Sequence, residues 1–385
     1  MSPPSPGGPT LSVPQVVFPP ASMTHAALVA EVRRAYAPLL QHLPGDTGYQ
    51  LGFADPARTA LKMGGILAIE DHPMHLPAPE ITRRRGLAAR NRQAREAFDA
   101  YAPLAAKQAM AAAHVTPDEI GAVVVASSTV TAMPSLAHAL ASAAGLSDRA
   151  EAISLGSEGC NGGAAAILQA RAHVLAHGCP VLVVAADYAS PWFHLEPGLR
   201  GAIVSSVLFS DATAAAVMTP GPRAVPGFRI LRTTSARLPG TEDALGWDVR
   251  DDGYHFRLTG PPKVVPGILP ALRDLLDATG WQAGDLDACT IHSGGNAIIR
   301  AVQQGLGLTR DQVAPAWGSL RRGDLMSAAV LHAMAIAAAD PGRPARHGGR
   351  GILAGFGPGF AMSAAAWQYH APAPALAAVS AAAAG

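Results

Sequence analysis

Lysine, cysteine and long apolar runs are scarce in this chain, and each shortage excludes something. Lysine occurs only at positions 62, 107 and 263, so nearly all of the 29 basic residues are arginine. That skew, with so much Ala, Gly and Pro, reflects a GC-rich coding sequence more than a function. Acidic residues number 28 and leave a net charge of +1. No segment concentrates the positive charge that would hold a phosphate backbone, so a nucleic-acid partner is not expected. Three cysteines, Cys160, Cys179 and Cys289, lack metal-ligand spacing and suit a reducing cytoplasm. No metal and no bound cofactor is expected. Runs of 18 or more apolar residues do not occur, and the Ala-rich stretch after Ser327 is broken by His332 and Asp340. The opening residues MSPPSPGGPTLSVPQ have no basic n-region and no apolar core, unlike a signal peptide. The expectation is a cytoplasmic protein with no membrane partner.

Burial capacity, by contrast, is abundant. Hydrophobic residues make up 49% of the chain and charged ones 15%, so burial can outweigh chain entropy. A length of 385 residues exceeds one ordinary core and suits two packed halves. Residues 1–20 and the Pro/Ala-rich tail from His370 read as ragged ends. Between them, short strand-like runs alternate with longer helical ones. GAVVVASSTV, EAISLGS and PVLVVAADY read as strands, and the segments after Ser135 and Cys160 as helices. SSVLFSDATAAAVM reads as a hairpin-like strand pair around Ser210-Asp211. A similar order recurs later: the helix VVPGILPALRDLLDATG, the strand ACTIHSGG, two helices, then the pair in GILAGFGPGFAMSAAAW. This alternation predicts an α/β protein with buried sheets. The recurrence predicts an internal duplication, residues 1–225 and 226–385, joined where TPGPRAVPG breaks the pattern.

One cysteine stands apart from the apolar runs. Cys160 lies in SEGCNGGAAA, at a strand-to-helix turn among small residues. A helix N-terminus favours a thiolate there, and neighbouring N–H groups could receive a carbonyl oxygen. The alternative is a small packing residue. Cys179 and Cys289, at the start and inside of apolar strands, read as structural. A thiolate nucleophile needs a base, and His292 in CTIHSGGNAII closes a strand just before two glycines. His173, His177 and His332 lie on helical stretches and read as surface or core residues. His194 and His255 sit in loops near aromatic residues and remain possible pocket liners.

Five segments, EGCNGG, VSSVLFSDATAAAVM, IHSGGNAII, RRGDLMSAAVL and GFGPGF, occur together in the order and spacing of the type III polyketide synthases. Chalcone and stilbene synthases of that family carry Cys-Phe-Ala-Gly, Leu-Phe-Gly-Asp-Gly, His-Pro-Gly-Gly, Gly-Asn-Met-Ser-Ser and Gly-Phe-Gly-Pro-Gly. The bacterial dihydroxyphenylacetyl-CoA synthases are closer in motif, with Cys-Asn-Ala-Gly and His-Ser-Gly-Gly. The resemblance covers roughly residues 80–368. It implies a thiolase fold, two duplicated α/β halves in an αβαβα arrangement, and a homodimer. It implies that Cys160 takes an acyl group from a thioester, and that His292 holds the thiolate as an ion pair. Phe193 and Phe256 match gatekeeping phenylalanines, and Met133 matches a methionine that reaches the partner subunit's pocket. Gly355, Phe356, Gly357, Pro358 and Gly359 match a loop that shapes the cavity wall.

Two departures qualify the resemblance. The family's third catalytic residue is asparagine, and RRGDLMS places Asp324 there. An ionised carboxylate accepts hydrogen bonds but cannot donate to the enolate oxygen formed when a malonyl thioester loses CO2. The lost donor costs about 3–4 kcal/mol in the transition state. Repulsion between carboxylates about 4 Å apart adds on the order of 4 kcal/mol at an effective dielectric near 20. A Cys160-His292-Asp324 triad is then expected to pass the acyl group to an alcohol or amine without decarboxylation. The alternative is a decarboxylative malonyl-CoA condensing synthase with an aromatic or pyrone product, and a further one an inactive partner subunit. Second, the family's basic cluster for coenzyme A shrinks to Lys62. The arginines 83, 84, 85, 90, 92 and 95 could meet phosphopantetheine or an acyl carrier protein, or form a solvated helix face.

Overall fold

The computed structural model describes residues 8–40, 68–194, 205–258, 261–340 and 346–372. The N-terminal strands β1 (Thr10–Ser12) and β2 (Gln15–Val17) lead to a small hairpin, β3 (Ala21–Thr24) with β4 (Asp71–Met74), around helix α1 (His25–Leu40). Helix α2 (Leu87–Ala112) precedes β5 (Ala122–Ala126), α3 (Leu136–Ala144) and β6 (Glu151–Leu155). Then come α4 (Gly162–His177), β7 (Val181–Asp187) and β8 (Ala212–Thr219). The second half opens with β9 (Gly227–Arg237) and the hairpin β10 (Leu245–Arg250)–β11 (Gly253–Leu258). It continues through α5 (Pro261–Thr279), β12 (Ala288–Ile291), α6 (Asn296–Leu306), α7 (Ala314–Leu320) and α8 (Ala329–Ala339), and ends in β13 (Arg350–Gly357) and β14 (Ala361–His370).

One mixed sheet runs β12-β13-β14-β9-β1-β8-β7-β5-β6, with β2 also beside β8. Outward from the β1–β9 seam, each side begins with the last strand formed in its half, β8 or β14, and then the one before it, β7 or β13. The pairs toward the two ends of the sheet, β5–β6, β5–β7 and β12–β13, are parallel. Parallel strands covered on both faces need continuous apolar runs, and β5 and β7 supply them, buried along their whole length. Helices α4 and α8 pack on each other and on strands of both halves, forming the middle layer. Helices α2 and α3 cover one outer face, and α5 and α6 the other. The result is the α/β thiolase fold in five layers.

A helix pressed between two sheet layers must be narrow, and α4 is built from GGAAAILQARAHVLAH. Ala164, Ala166, Ile167 and Ala170 have no exposed surface. At its first turn a Cβ added to Gly163 would lie 2.1 Å from the Ser327 carbonyl oxygen. Gly178 at φ +68° ends the helix.

Two expectations fail. Residues 10–17, read as ragged, supply β1 and β2, and Leu11 is wholly buried at the seam between the halves. The SSVLFSDATAAAVM segment is no hairpin: residues 205–208 are helical, Phe209 bridges to Asp324, and only Ala212–Thr219 form a strand. Ser210 and Asp211 are spent on side-chain contacts rather than on a strand turn. Among the described residues, no helix is long and apolar enough to cross a membrane. Gly163→Ala forces backbone apart in the middle layer and is expected to destabilise the fold by about 1–3 kcal/mol, read as a lower Tm in calorimetry. An unchanged Tm would contradict the packing described.

Candidate active site

Cys160 sits in a single 3-10 turn, Gly159–Asn161, immediately before α4. The turn is tied from both halves. Its Gly159 N–H donates to Ser128 Oγ at 2.7 Å. Asn161 Oδ1 accepts from the Ser363 backbone at 2.8 Å, and its Nδ2 donates to Glu158 and Ser363. The end of β13 lies against the same turn. A Cβ on Gly355 would be 2.8 Å from that of Ala164, and one on Gly357 would be 2.4 Å from the Glu158 carbonyl oxygen. The GFGPG segment thus seats the cysteine turn. Phe356 is buried and stacks on Phe360.

His292 follows β12 directly, and its backbone N–H donates to Ala354 of β13 at 2.8 Å. Asp324 lies between α7 and α8. Its backbone is clamped by Leu208 and Ser210, through N–H···O bonds of 2.8 and 2.9 Å. One ligand atom each of Cys160, His292 and Asp324 lies within 4.8 Å of the others, so the three are brought together. His292 and Asp324 are each 2% exposed, and Cys160 is partly buried.

Their arrangement differs from the expected triad. Asp324 Oδ2 stands 3.6 Å from His292 Nε2, beyond hydrogen-bond range. In a nucleophile–His–Asp triad the carboxylate grips the nitrogen remote from the nucleophile. Here His292 Nδ1 is buried with no hydrogen-bond partner among the described residues. Asp324 therefore faces the His292 nitrogen it would share with the reacting atoms.

Burial also changes the charges. The Asp324 carboxyl is pushed up to about 8 by desolvation, which its one accepted hydrogen bond, from Met326 N–H at 2.8 Å, does not offset. Nearby Asp187 pushes it the same way. Desolvation lowers His292 to about 3 and raises the Cys160 thiol well above its ordinary 9, with Asp324 and Asp187 adding to the latter. Burial thus works against the thiolate that a helix N-terminus favours and against the ion pair that the resemblance implies. Asp187 itself is fully buried, accepts from Ser128, Thr129 and Ser327, and is raised by burial. It was not singled out in the sequence because it ends an ordinary apolar strand.

An aromatic cavity is lined by Trp192, Phe193, Phe209, Trp247, Tyr254 and Phe256 among others, and the backbone bridge from Phe209 to Asp324 links it to the three residues. Phe193 and Phe256 both line it. The residue that meets Phe256 edge to face, with ring centroids 5.1 Å apart, is nevertheless Phe209. Phe193 packs instead with Leu28, Ile81 and Val207. Phe209 stands in the VLFSD motif and bridges to Asp324, so the motif already carried the signal. Met133 is 98% exposed. Lys62 lies outside the described residues. The arginine run is not a free basic face: Arg83 and Arg85 pair with Glu80, Arg95 with Asp99, and Arg90 is 4% exposed. Burial of Arg90 contradicts the solvated-face alternative at that position.

Residues 75–229 match the family model described as FAE1/Type III polyketide synthase-like protein, and residues 276–369 that of the 3-oxoacyl-[acyl-carrier-protein] synthase III C terminal. The chain is 32% identical to the 1,3,6,8-tetrahydroxynaphthalene synthase of Streptomyces griseus, over 68% of this chain and 70% of that protein. It is 28% identical to the phloroglucinol synthase of Pseudomonas fluorescens, over 94% and 99%. The crystal structure of the tetrahydroxynaphthalene synthase of Streptomyces coelicolor, a bacterial type III polyketide synthase, superposes with a TM-score of 0.85 at 27% identity, covering 94% of this chain and 99% of that one. With Cys160, His292 and Asp324 brought together on a thiolase fold and a relative of this identity and coverage, the chain belongs to the type III polyketide synthase family.

Proposed function

We propose that the protein is a decarboxylative condensing synthase. Its acyl chain is carried on Cys160 and extended from malonyl-CoA to an aromatic or pyrone product. The observation that carries this reading is the burial of Asp324. The case for transfer without decarboxylation rested on an ionised carboxylate. With its carboxyl raised to about 8, Asp324 is roughly nine-tenths neutral at pH 7. A carboxylic acid carries an O–H and can donate where the family's asparagine amide donates. Its place on the Nε2 side of His292 fits a donor across the reacting centre and not a carboxylate behind the base. The synthase names of the relatives point the same way.

In loading, the Cys160 thiol gives its proton to His292 Nε2, the sulfur attacks the thioester carbon, and coenzyme A leaves as its thiolate. Malonyl thioester then binds with its carbonyl oxygen between the imidazolium and the Asp324 O–H. Loss of CO2 leaves the C–C electrons on the enolate, which both donors stabilise. The enolate carbon attacks the acyl carbon and expels the Cys160 sulfur. Coenzyme A is favoured over a carrier protein as donor, since most of the arginine run is paired or buried. The halves 1–225 and 226–385 bring Cys160 on one side and His292 with Asp324 on the other. A homodimer is proposed from the exposed Met133 and from β6, an end strand of the sheet with one side unpaired among the described strands.

Three outcomes follow from this reading. Intact-mass analysis after incubation with acyl-CoA should give one acyl adduct that is lost in Cys160→Ala; an adduct persisting in that variant would sink the assignment. CO2 release from labelled malonyl-CoA should fall as pH rises through about 8, because the raised Asp324 carboxyl loses its proton there. Asp324→Asn should keep the activity and lose that alkaline limb, and Asp324→Ala should lower the rate about 10²–10³-fold. An identical limb in Asp324→Asn would reject Asp324 as its source. In sedimentation the chain should run as a dimer at micromolar concentration, and a monomer would contradict the assembly.

A further inference from the structure

A second group of titratable side chains stands in the aromatic cavity, apart from Cys160, His292 and Asp324. His194 and His255 both line the cavity and are 7% exposed each. Their rings lie 4.1 Å apart, and the Asp252 carboxylate is set between them. Asp252 Oδ1 is 2.8 Å from His255 Nε2, and Oδ2 is 3.8 Å from His194 Nδ1. This is a His–carboxylate dyad with a second imidazole alongside, within reach of the phenylalanines that line the same cavity.

The surroundings hold these groups in place. The buried Arg90 side chain donates to the Pro191 and Phe193 carbonyls just before His194, at 2.6 and 2.9 Å. Its Nε donates to the Asp252 carbonyl at 2.7 Å, so one guanidinium ties both segments together. In the β10–β11 turn, Gly253 has φ +138°, and a Cβ there would lie 2.7 Å from His194 Nε2. A side chain at 253 would push His194 away from Asp252. The charged groups facing the pair are Asp252, Arg90 and Arg250, and burial with Arg90 keeps His194 low, at about 4. Both histidines line the same cavity as Phe209, whose backbone bridges to Asp324, while the Asp252 carboxylate keeps a solvent-exposed side.

We propose that His255, oriented by Asp252 and supported by His194, is a general base for the enolisable β-dicarbonyl groups of the growing chain. This assigns the cyclisation step, and it rests on the condensing reading above. The imidazole takes a proton from the CH2 between two carbonyls. The carbanion attacks a carbonyl carbon further along the same chain, forming one C–C bond. The resulting alkoxide takes the proton back from the imidazolium. The step is an isomerisation and needs no oxidant or further reactant.

The test separates this step from condensation by using the Cys160→Ala protein, which cannot carry a chain. Acetoacetyl-N-acetylcysteamine in D2O is followed by NMR for exchange of its C2 protons across pH 5–8. The proposal expects exchange at least tenfold above buffer, with a rate that follows one titrating group. Adding His255→Gln should remove the acceleration, and Asp252→Asn should lower it. A double variant that exchanges like the Cys160→Ala protein at every pH, or a Cys160→Ala protein no faster than buffer, would overturn the proposal. Comparable melting temperatures identify variants whose loss is not unfolding. Absence of CO2 release by the unmodified protein would reject the condensing reading without affecting the exchange result.

Discussion

Everything in the site depends on how closely the two halves approach at the start of α4. Backbone meets backbone there: Gly163 against Ser327, Gly357 against Glu158, and Asn161 paired with Ser363. A single methyl group at the glycines would separate the segments by more than the distance a proton transfer tolerates. The same contact brings a cysteine from one half against a histidine and an aspartate from the other. Burial also leaves His292 and Asp324 with almost no solvent contact.

Desolvation then decides the chemistry. Moving a carboxyl from 3.8 to about 8 corresponds to roughly 6 kcal/mol against the anion. With the anion disfavoured, the lost donor and the repulsion between two carboxylates, each about 4 kcal/mol, that an ionised Asp324 would impose on malonyl decarboxylation do not arise. Burial therefore cancels the penalty that the substitution of aspartate for asparagine carries on paper. The cost is a pH ceiling that an amide would not have.

Much of this was legible in the chain. The runs VVV in β5 and LVV in β7 could only be buried strands, and the five ordered motifs placed Cys160, His292 and Asp324 at one site. Less legible were features that depend on contacts distant in sequence. TLS at residues 10–12 is too short to show a period, yet it forms the seam because β8 and β9 flank it. Phe209 was marked by its VLFSD motif, but its partner Phe256 lies 47 residues on, so its place in the cavity exists only after folding. The charge state of Asp324 was not legible because a sequence gives the residue type but not its solvation. Arg90 looked like part of a solvated run and is instead a buried brace, a distinction set by the β10–β11 turn docking against the start of α2.

The central claim is that Asp324 is a neutral acid in the folded protein near pH 7. Infrared difference spectroscopy between the Cys160→Ala protein and its Cys160→Ala/Asp324→Asn counterpart reads this directly, as a function of pH. The account predicts a carboxylic-acid carbonyl band assigned to Asp324 at pH 7, converting to carboxylate bands around pH 8. Carboxylate bands already complete at pH 6 would contradict it.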